Sequence, residues 1–127
     1  MHVFFATDGS PYSLAAESVL AGFPFAASPR VTIANVCPAG DLHAIESAVT
    51  TPVAKMLDRC RSESERLLAE TADRARAWAG EVATEILDGH PANERLHAIN
   101  RLKPDVVVVG ARGLGAVQRM FLGSVSE

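Results

Sequence analysis

The sequence predicts an α/β fold in which an open, doubly wound parallel sheet carries helices on both faces. Four short apolar runs rich in β-branched residues alternate with segments of helical periodicity, which is the order expected of strand–helix–strand units. The first run, residues 3–7, is apolar rather than alternating, as a strand buried on both faces is. The chain has 127 residues, of which 48% are hydrophobic, and this suits one domain with its own core.

The first half of the chain contains two predicted strands and one helix. The first strand covers residues 3–7 and the second covers residues 30–36. Between them, Ser10 is a good N-cap, and Pro11 suits the first helical turn, where its missing N–H costs nothing. Gly22 and the prolines after it end the helix. Helical spacing predicts that its inner face consists of Leu14, Ala15, Ser18, Val19 and Gly22.

The next segment, residues 37–52, lacks a period and is predicted to be a loop. Residues 53–79 then follow a helical pattern, and residues 81–87 form the third predicted strand. The inner stripe of this long helix is predicted to contain Leu57, Cys60, Ser64, Leu67, Leu68, Thr71, Ala75 and Trp78.

A short helix over residues 91–102 and a strand over residues 105–109 complete the predicted sheet. Residues 110–122 form a glycine-rich loop, and residues 123–127 have the pattern of the first turn of another helix. Parallel strands end at one edge of the sheet, where ligands of such sheets bind. The inner face of the short helix is predicted to contain Leu96 and Ile99.

Composition and charge exclude several classes of protein. Twelve basic and fifteen acidic side chains give a net charge of −3, which offers no basic surface for nucleic acid. The apolar runs fall far short of the ~20 residues needed to span a membrane. Two cysteines, Cys37 and Cys60, are too few and too far apart for a disulfide framework or a zinc site. We therefore expect reduced thiols in a cytoplasmic protein.

The glycine-rich loop carries the pattern Gly110, two residues, Gly113, nine residues, then Gly123-Ser124. It differs from the dinucleotide fingerprint, and the chain contains no Gly-Lys-Ser/Thr of a Walker A loop. The pattern offers two clusters of unhindered backbone N–H groups, one after a strand and one at a helix N-terminus, with Arg112 between them. Such groups bind anions, and a polyphosphate could span both clusters.

With the opening Thr7-Asp8-Gly9-Ser10 and the closing Leu122-Gly-Ser-Val-Ser-Glu127, this pattern resembles that of a universal stress protein domain. The resemblance covers essentially the whole chain, which we interpret as one domain over residues 1–127. The spacing G-x2-G-x9-G-(S/T) marks the ATP-binding branch of that family. The resemblance implies a Rossmann-like fold, of the type shared with adenine-nucleotide alpha-hydrolases.

The resemblance also implies roles for individual residues, with ATP as the cofactor and Mg²⁺ as its possible companion. Asp8 would face the ribose and any phosphate-bound Mg²⁺, whereas Thr7 and Val36 would meet the adenine through backbone groups. Asp8 has an alternative role as the acceptor of an Asx turn before the helix. The residues expected to cradle the ribose and phosphates are Gly110, Gly113, Gly123, Ser124 and Val125. Arg112 is a further candidate contact, at a position of the motif that the family varies.

The expected function is adenine-nucleotide binding as a regulatory input to the stress response. No catalytic residue is identified, and hydrolysis of ATP is expected to be slow at most, because no Glu or Gln is identified as positioning water next to the phosphate loop. The alternative is an interaction or assembly module of the same fold that uses no nucleotide. A titration with ATP separates the two.

Family members continue through a full helix into a fifth strand that commonly mediates dimerisation, and this chain is predicted to lack both. We therefore expect a C-terminally incomplete domain that belongs to a homo-oligomer or a tandem protein. The strand over residues 105–109 is expected to be an unprotected apolar edge, which would favour self-association.

Overall fold

The structure is a computed structural model that describes residues 1–37, 51–110 and 120–121. It confirms the α/β fold and the predicted order of four strands and three helices, and it adds a short fifth strand within the segment predicted to be a loop. The strands are β1 (His2–Thr7), β2 (Arg30–Cys37), β3 (Glu81–Asp88), β4 (Val106–Gly110) and β5 (Met120–Phe121), and the helices are α1 (Pro11–Gly22), α2 (Thr51–Ala75) and α3 (Pro91–Leu102).

The strands form one sheet in the order β3-β2-β1-β4-β5. β1 is central and pairs in parallel with both β2 and β4. The chain first winds outward from β1 through β2 to β3 and then returns to the other side of β1 as β4. The winding direction therefore reverses beside β1, which is where open α/β sheets bind their ligands.

The prediction that β4 is an unprotected edge is wrong. β5 pairs antiparallel with β4, so that Val107 lies opposite Phe121 and Val108 opposite Met120. The hydrogen-bonding groups of β4 that face away from β1 thus have partners over these residues, and the self-association expected through a bare β4 edge loses its basis.

Two hydrophobic cores lie on opposite faces of the sheet because successive side chains of β1 point to opposite faces. Phe5 packs with Ile33 against α1 and α2, and Phe4 packs with Val109 against Ala98 of α3. Of the helices in the described ranges, two therefore cover one face and one covers the other, which confirms the doubly wound arrangement.

The inner face predicted for α1 is wrong. Leu14 is 49% exposed and Val19 is 52% exposed, whereas the buried residues are Ser13, Ala16, Glu17 and Leu20. Apolar residues occur on nearly all sides of α1, so their spacing does not fix its rotation. Polar contacts of the buried Ser13 and Glu17 side chains fix it instead.

The Glu17 carboxylate is buried on α1 and accepts two hydrogen bonds, of 2.5 and 3.0 Å, from the guanidinium of Arg74 on α2. The hydrogen bond to Glu17 raises the pKa of Arg74. A buried carboxylate needs such a partner, because desolvation of an unpaired charge is strongly unfavourable. This ion pair holds α1 and α2 side by side and turns Glu17 inward.

The predicted inner face is confirmed for α2 but is partly wrong for α3. On α2 the predicted stripe is confirmed: Ser64, Leu68, Thr71 and Ala75 are buried. On α3, Leu96 is 57% exposed and Ala98 is buried in its place, so the prediction for Leu96 is wrong.

The buried His2 side chain at the amino end of β1 gives folding a pH dependence. Its Nε2 lies 2.8 Å from Thr32 Oγ1 and its Nδ1 lies 3.2 Å from the Arg30 guanidinium. Burial, together with the positive charges of Arg30 and the N-terminus, lowers the pKa of His2, and this outweighs the opposing effect of Asp105 and Glu81. The unfolded chain therefore binds the proton more readily than the folded one.

We expect the free energy of unfolding to fall as the pH drops below about 6.5, the ordinary pKa of histidine. The slope from His2 is at most about 1.4 kcal/mol per pH unit, and it vanishes below the pKa of His2 in the folded protein. Urea denaturation between pH 7.5 and 5.5 measures this slope. The variant His2→Gln should lose that part of the slope, and an identical slope in the variant would contradict the assignment.

Candidate functional site

The carboxyl ends of β1 and β2 form one wall of a cavity of about 230 Å³. Three residues predicted to bind nucleotide, Thr7, Asp8 and Val36, all line it. Helix α3 contributes the opposite wall through Pro91 and Arg95. The cavity therefore lies between the strand ends and the first turns of a helix, at the edge where the sheet was expected to bind a ligand.

Asp8 begins the turn between β1 and α1. Its Oδ1 accepts hydrogen bonds from the Ser10 backbone N–H at 2.9 Å and from Ser13 Oγ at 2.7 Å. The bond to the residue two positions on is that of an Asx turn, so Asp8 has this structural role, which is separate from the ribose and Mg²⁺ contacts expected of it. Gly9 has a φ of 76°, a conformation in which glycine is favoured.

Gly110 lies directly beside Thr7 in the parallel register of β1 and β4. The backbone of α1 approaches it so closely that a Cβ on Gly110 would lie 2.6 Å from Ser13 Cα and 2.9 Å from the Tyr12 carbonyl oxygen. The first glycine of the pattern is therefore required for close packing of strand on helix. This requirement is separate from the phosphate contact that the sequence predicts for it.

Ser13 joins these two features and was missed by the sequence reasoning. Its buried hydroxyl contacts the carbonyl oxygen of Gly110 and also accepts a hydrogen bond of 3.0 Å from the Asp8 backbone N–H. Ser13 thus ties the end of β1, the start of α1 and the end of β4 together. In the sequence, Ser13 is marked only by its position three residues after the N-cap Ser10. Many serines at that position make no tertiary contact, so the sequence does not reveal this connection.

A second polar connection holds β1, β2 and α2 together at the same edge. Asn35 Nδ2 donates to the Thr7 carbonyl oxygen at 2.7 Å, and Asn35 Oδ1 accepts from Ser64 Oγ at 2.5 Å. The sequence shows Asn35 near a strand end and Ser64 within an apolar stripe, but their contact depends on the three-dimensional approach of α2. The Asn35 and Ser64 side chains fix the carbonyl group of Thr7, one of the predicted adenine contacts.

The expectation of two reduced thiols is wrong. Cys37, the last residue of β2, and Cys60 on α2 form a disulfide with a Cα–Cα distance of 6.3 Å. The two cysteines are 23 positions apart, and sequence spacing alone does not reveal that α2 returns to the end of β2. The disulfide lies beside Val36, at the wall of the site.

The remaining predicted site residues, Arg112, Gly113, Gly123, Ser124 and Val125, lie outside the described residues, as does most of the loop predicted over 37–52. Within the described ranges, no group of three His, Cys, Asp or Glu side chains is arranged to hold a metal ion. Among the helices of those ranges, none has the length and apolar character needed to cross a membrane.

The chain is similar to proteins of known sequence and structure. Universal stress protein MJ0531 of Methanocaldococcus jannaschii is 34% identical over 67 residues, which cover 53% of this chain and 39% of that protein. Rv1636 of Mycobacterium tuberculosis H37Rv has a TM-score of 0.59 and 25% identity, covering 98% of this chain and 81% of that one. A universal stress protein in complex with cAMP has a TM-score of 0.61 and 22% identity, covering 97% and 92%.

The match to MJ0531 therefore spans about two-fifths of that relative's length, whereas the structural matches span most of both chains. The family model of the universal stress protein family matches residues 1–127. The agreement of the family model, the relatives and the fold shows that this chain belongs to the universal stress protein family.

Proposed function

We propose that this protein binds ATP in the cavity at the carboxyl ends of β1 and β2, and that the bound nucleotide is a regulatory signal in stress adaptation. The observation that carries the proposal is the meeting of Thr7, Asp8 and Val36 around one cavity. Gly110, the start of the spaced glycine pattern, lies beside Thr7. A solved relative is a complex with cAMP, which supports an adenine nucleotide as the ligand class.

In this proposal the adenine and ribose occupy the cavity, and the phosphates extend toward the loop that follows β4. Gly110, Gly113, Gly123, Ser124 and Val125 supply backbone donors to the phosphates, with Arg112 adding positive charge. Anion binding by main-chain N–H groups needs no lysine.

We propose that Mg²⁺ can bind together with the phosphates of the nucleotide. A single carboxylate together with phosphate oxygens is a common way for proteins to hold this ion, and Asp8 supplies such a carboxylate at the cavity. The residues present therefore fit the ion. When bound, Mg²⁺ would offset phosphate charge, while Asp8 would orient the ribose. We further propose assembly as a homo-oligomer or tandem protein and at most slow hydrolysis. We also propose a cytoplasmic location, where a disulfide such as Cys37–Cys60 would be transient.

Isothermal titration with ATP tests the proposal on the variants Gly113→Asp and Gly123→Glu. Each places a carboxylate where a phosphate is expected, and close like charges cost several kcal/mol. The affinity should fall at least about 100-fold. Adenosine, which lacks the phosphates, should lose much less affinity for the same variants.

The control variant is Gly22→Glu, because Gly22 ends α1 with open space around it and this change adds the same charge away from the site. It should bind ATP like the unmodified protein. Unchanged binding by Gly113→Asp and Gly123→Glu would contradict the placement of the phosphates. Absence of ATP binding by the unmodified protein would favour the nucleotide-independent module instead.

A further inference from the structure

The Cys37–Cys60 disulfide occupies a specific place in the fold. Cys37 is 1% exposed at the end of β2, and Cys60 is half-buried on α2. Their Cα–Cα distance of 6.3 Å lies within the range of about 4.4–6.8 Å that disulfides adopt. The backbone positions of β2 and α2 are therefore compatible with the bond.

The bond lies at the proposed nucleotide site. Val36 directly precedes Cys37, and Cys60 lines a second cavity, of about 160 Å³, together with Asp8, Asn35 and Val36. Ser64, one helical turn after Cys60, holds Asn35 through its hydroxyl. The disulfide and the Ser64–Asn35 hydrogen bond are thus two neighbouring connections between α2 and the end of β2.

We propose that Cys37 and Cys60 form a reversible redox site that exchanges with a low-molecular-weight thiol–disulfide couple and whose oxidised form strengthens nucleotide binding. The second part of this statement rests on the proposed function, and the first part is independent of it. The oxidised pair fixes Val36 and the adjacent helix before the ligand arrives. Reduction breaks the disulfide and leaves the Ser64–Asn35 hydrogen bond as the remaining one of these two connections between α2 and the end of β2. The residues around Val36 must then be ordered when the ligand binds, and this cost weakens binding.

The exchange needs no reactant beyond the couple. The thiolate of Cys60, which is the more accessible of the two, attacks one sulfur of a small disulfide and expels its first thiolate. The thiolate of Cys37 then attacks the Cys60 sulfur of this mixed disulfide and expels the second thiolate. The two cysteines lose two electrons and two protons, and the small disulfide becomes two thiols.

Two measurements on the unmodified protein test the two parts separately. The protein is equilibrated at a series of ratios of reduced to oxidised glutathione, and its free thiols are then alkylated and counted by intact-mass analysis. The count should change in a single transition from two free thiols in the reduced protein to no free thiols in the oxidised protein. Permanent oxidation, or a mixed disulfide with glutathione as the end state, would overturn the reversible site. This measurement requires no nucleotide.

The second measurement is the ATP affinity of the fully oxidised and fully reduced protein. We expect the oxidised form to bind at least about fivefold more tightly, which is the lower end of typical coupling between sites. By reciprocity, ATP should shift the glutathione titration toward the disulfide. Equal affinities would overturn the coupling, and absence of binding in both forms would overturn it together with the proposed function.

The variant Cys37→Ser/Cys60→Ser is the control, because it has the same backbone without the bond. Its ATP affinity should equal that of the reduced protein and should not respond to glutathione. The fluorescence of Trp78, the single tryptophan, which is partly buried and stacks on Phe25 against the core, reports that the variant is folded. A glutathione response that persists in the folded variant would contradict the assignment to these two residues.

Discussion

Replacing Gly110 by valine is expected to lower the free energy of unfolding by about 3 kcal/mol. A Cβ at this position would lie 2.6 Å from Ser13 Cα and 2.9 Å from the Tyr12 carbonyl oxygen, and both contacts are with backbone that no rotamer change can relieve. Either α1 or the end of β4 must move. Urea denaturation followed by Trp78 fluorescence measures the loss, and Gly110→Ala should show a smaller loss of the same origin.

Gly22→Ala is the matched control for this substitution. A Cβ on Gly22 meets no atom within 4 Å, so the change only replaces a flexible residue at the end of α1. Its effect should be within about 1 kcal/mol and can be stabilising. If Gly110→Val is as stable as Gly22→Ala, then the close approach of α1 to β4 is incorrect.

Replacing Ser13 by alanine is expected to lower the free energy of unfolding by about 1–3 kcal/mol. The hydroxyl is buried and contacts the Gly110 carbonyl oxygen, the Asp8 carboxylate and the Asp8 backbone N–H. Alanine fills nearly the same space but leaves these groups without that partner. Under the proposed function, ATP affinity should also fall, because Ser13 holds the Asp8 carboxylate that lines the cavity.

Ser18→Ala separates this effect from helix propensity. Ser18 lies on the exposed side of the same helix, and within the described part of the chain its hydroxyl donates to the Leu14 carbonyl oxygen one turn earlier. Both substitutions bring the same gain in propensity, so their difference measures the buried contacts. Equal stabilities of the two variants would show that the Ser13 hydroxyl contributes nothing.

Strands β1 to β4 could be predicted from the sequence because each is a short run rich in β-branched or aromatic residues with clear ends, whereas β5, only two residues long, could not. Helix α2 was predicted correctly for a related reason: one of its sides is charged and the other is apolar, so the pattern fixes its rotation. Helix α1 has no such contrast. Its rotation depends on Ser13 and Glu17, whose partners come from distant parts of the chain.

In the candidate site, too, the features set by local sequence could be predicted and those set by tertiary packing could not. Thr7, Asp8 and Val36 follow from their places at strand ends, and the cavity that contains all three agrees with their prediction as one group. Arg95 was missed because nothing in its local sequence distinguishes it from the other charged residues of α3. The disulfide was missed because it depends on how α2 packs against β2, which spacing along the chain does not reveal.

The Asn35 hydrogen bonds have a consequence for selectivity. The carbonyl of Thr7 and the hydroxyl of Ser64 are held by one amide side chain as soon as the chain folds, so this part of the wall is a rigid template. Rigid templates favour ligands of matching shape, because adjustment to a different shape would break hydrogen bonds already made. Under the proposed function, the part of the ligand beside the Thr7 carbonyl should therefore be selected by its outline, whereas charge selects at the proposed phosphate contacts.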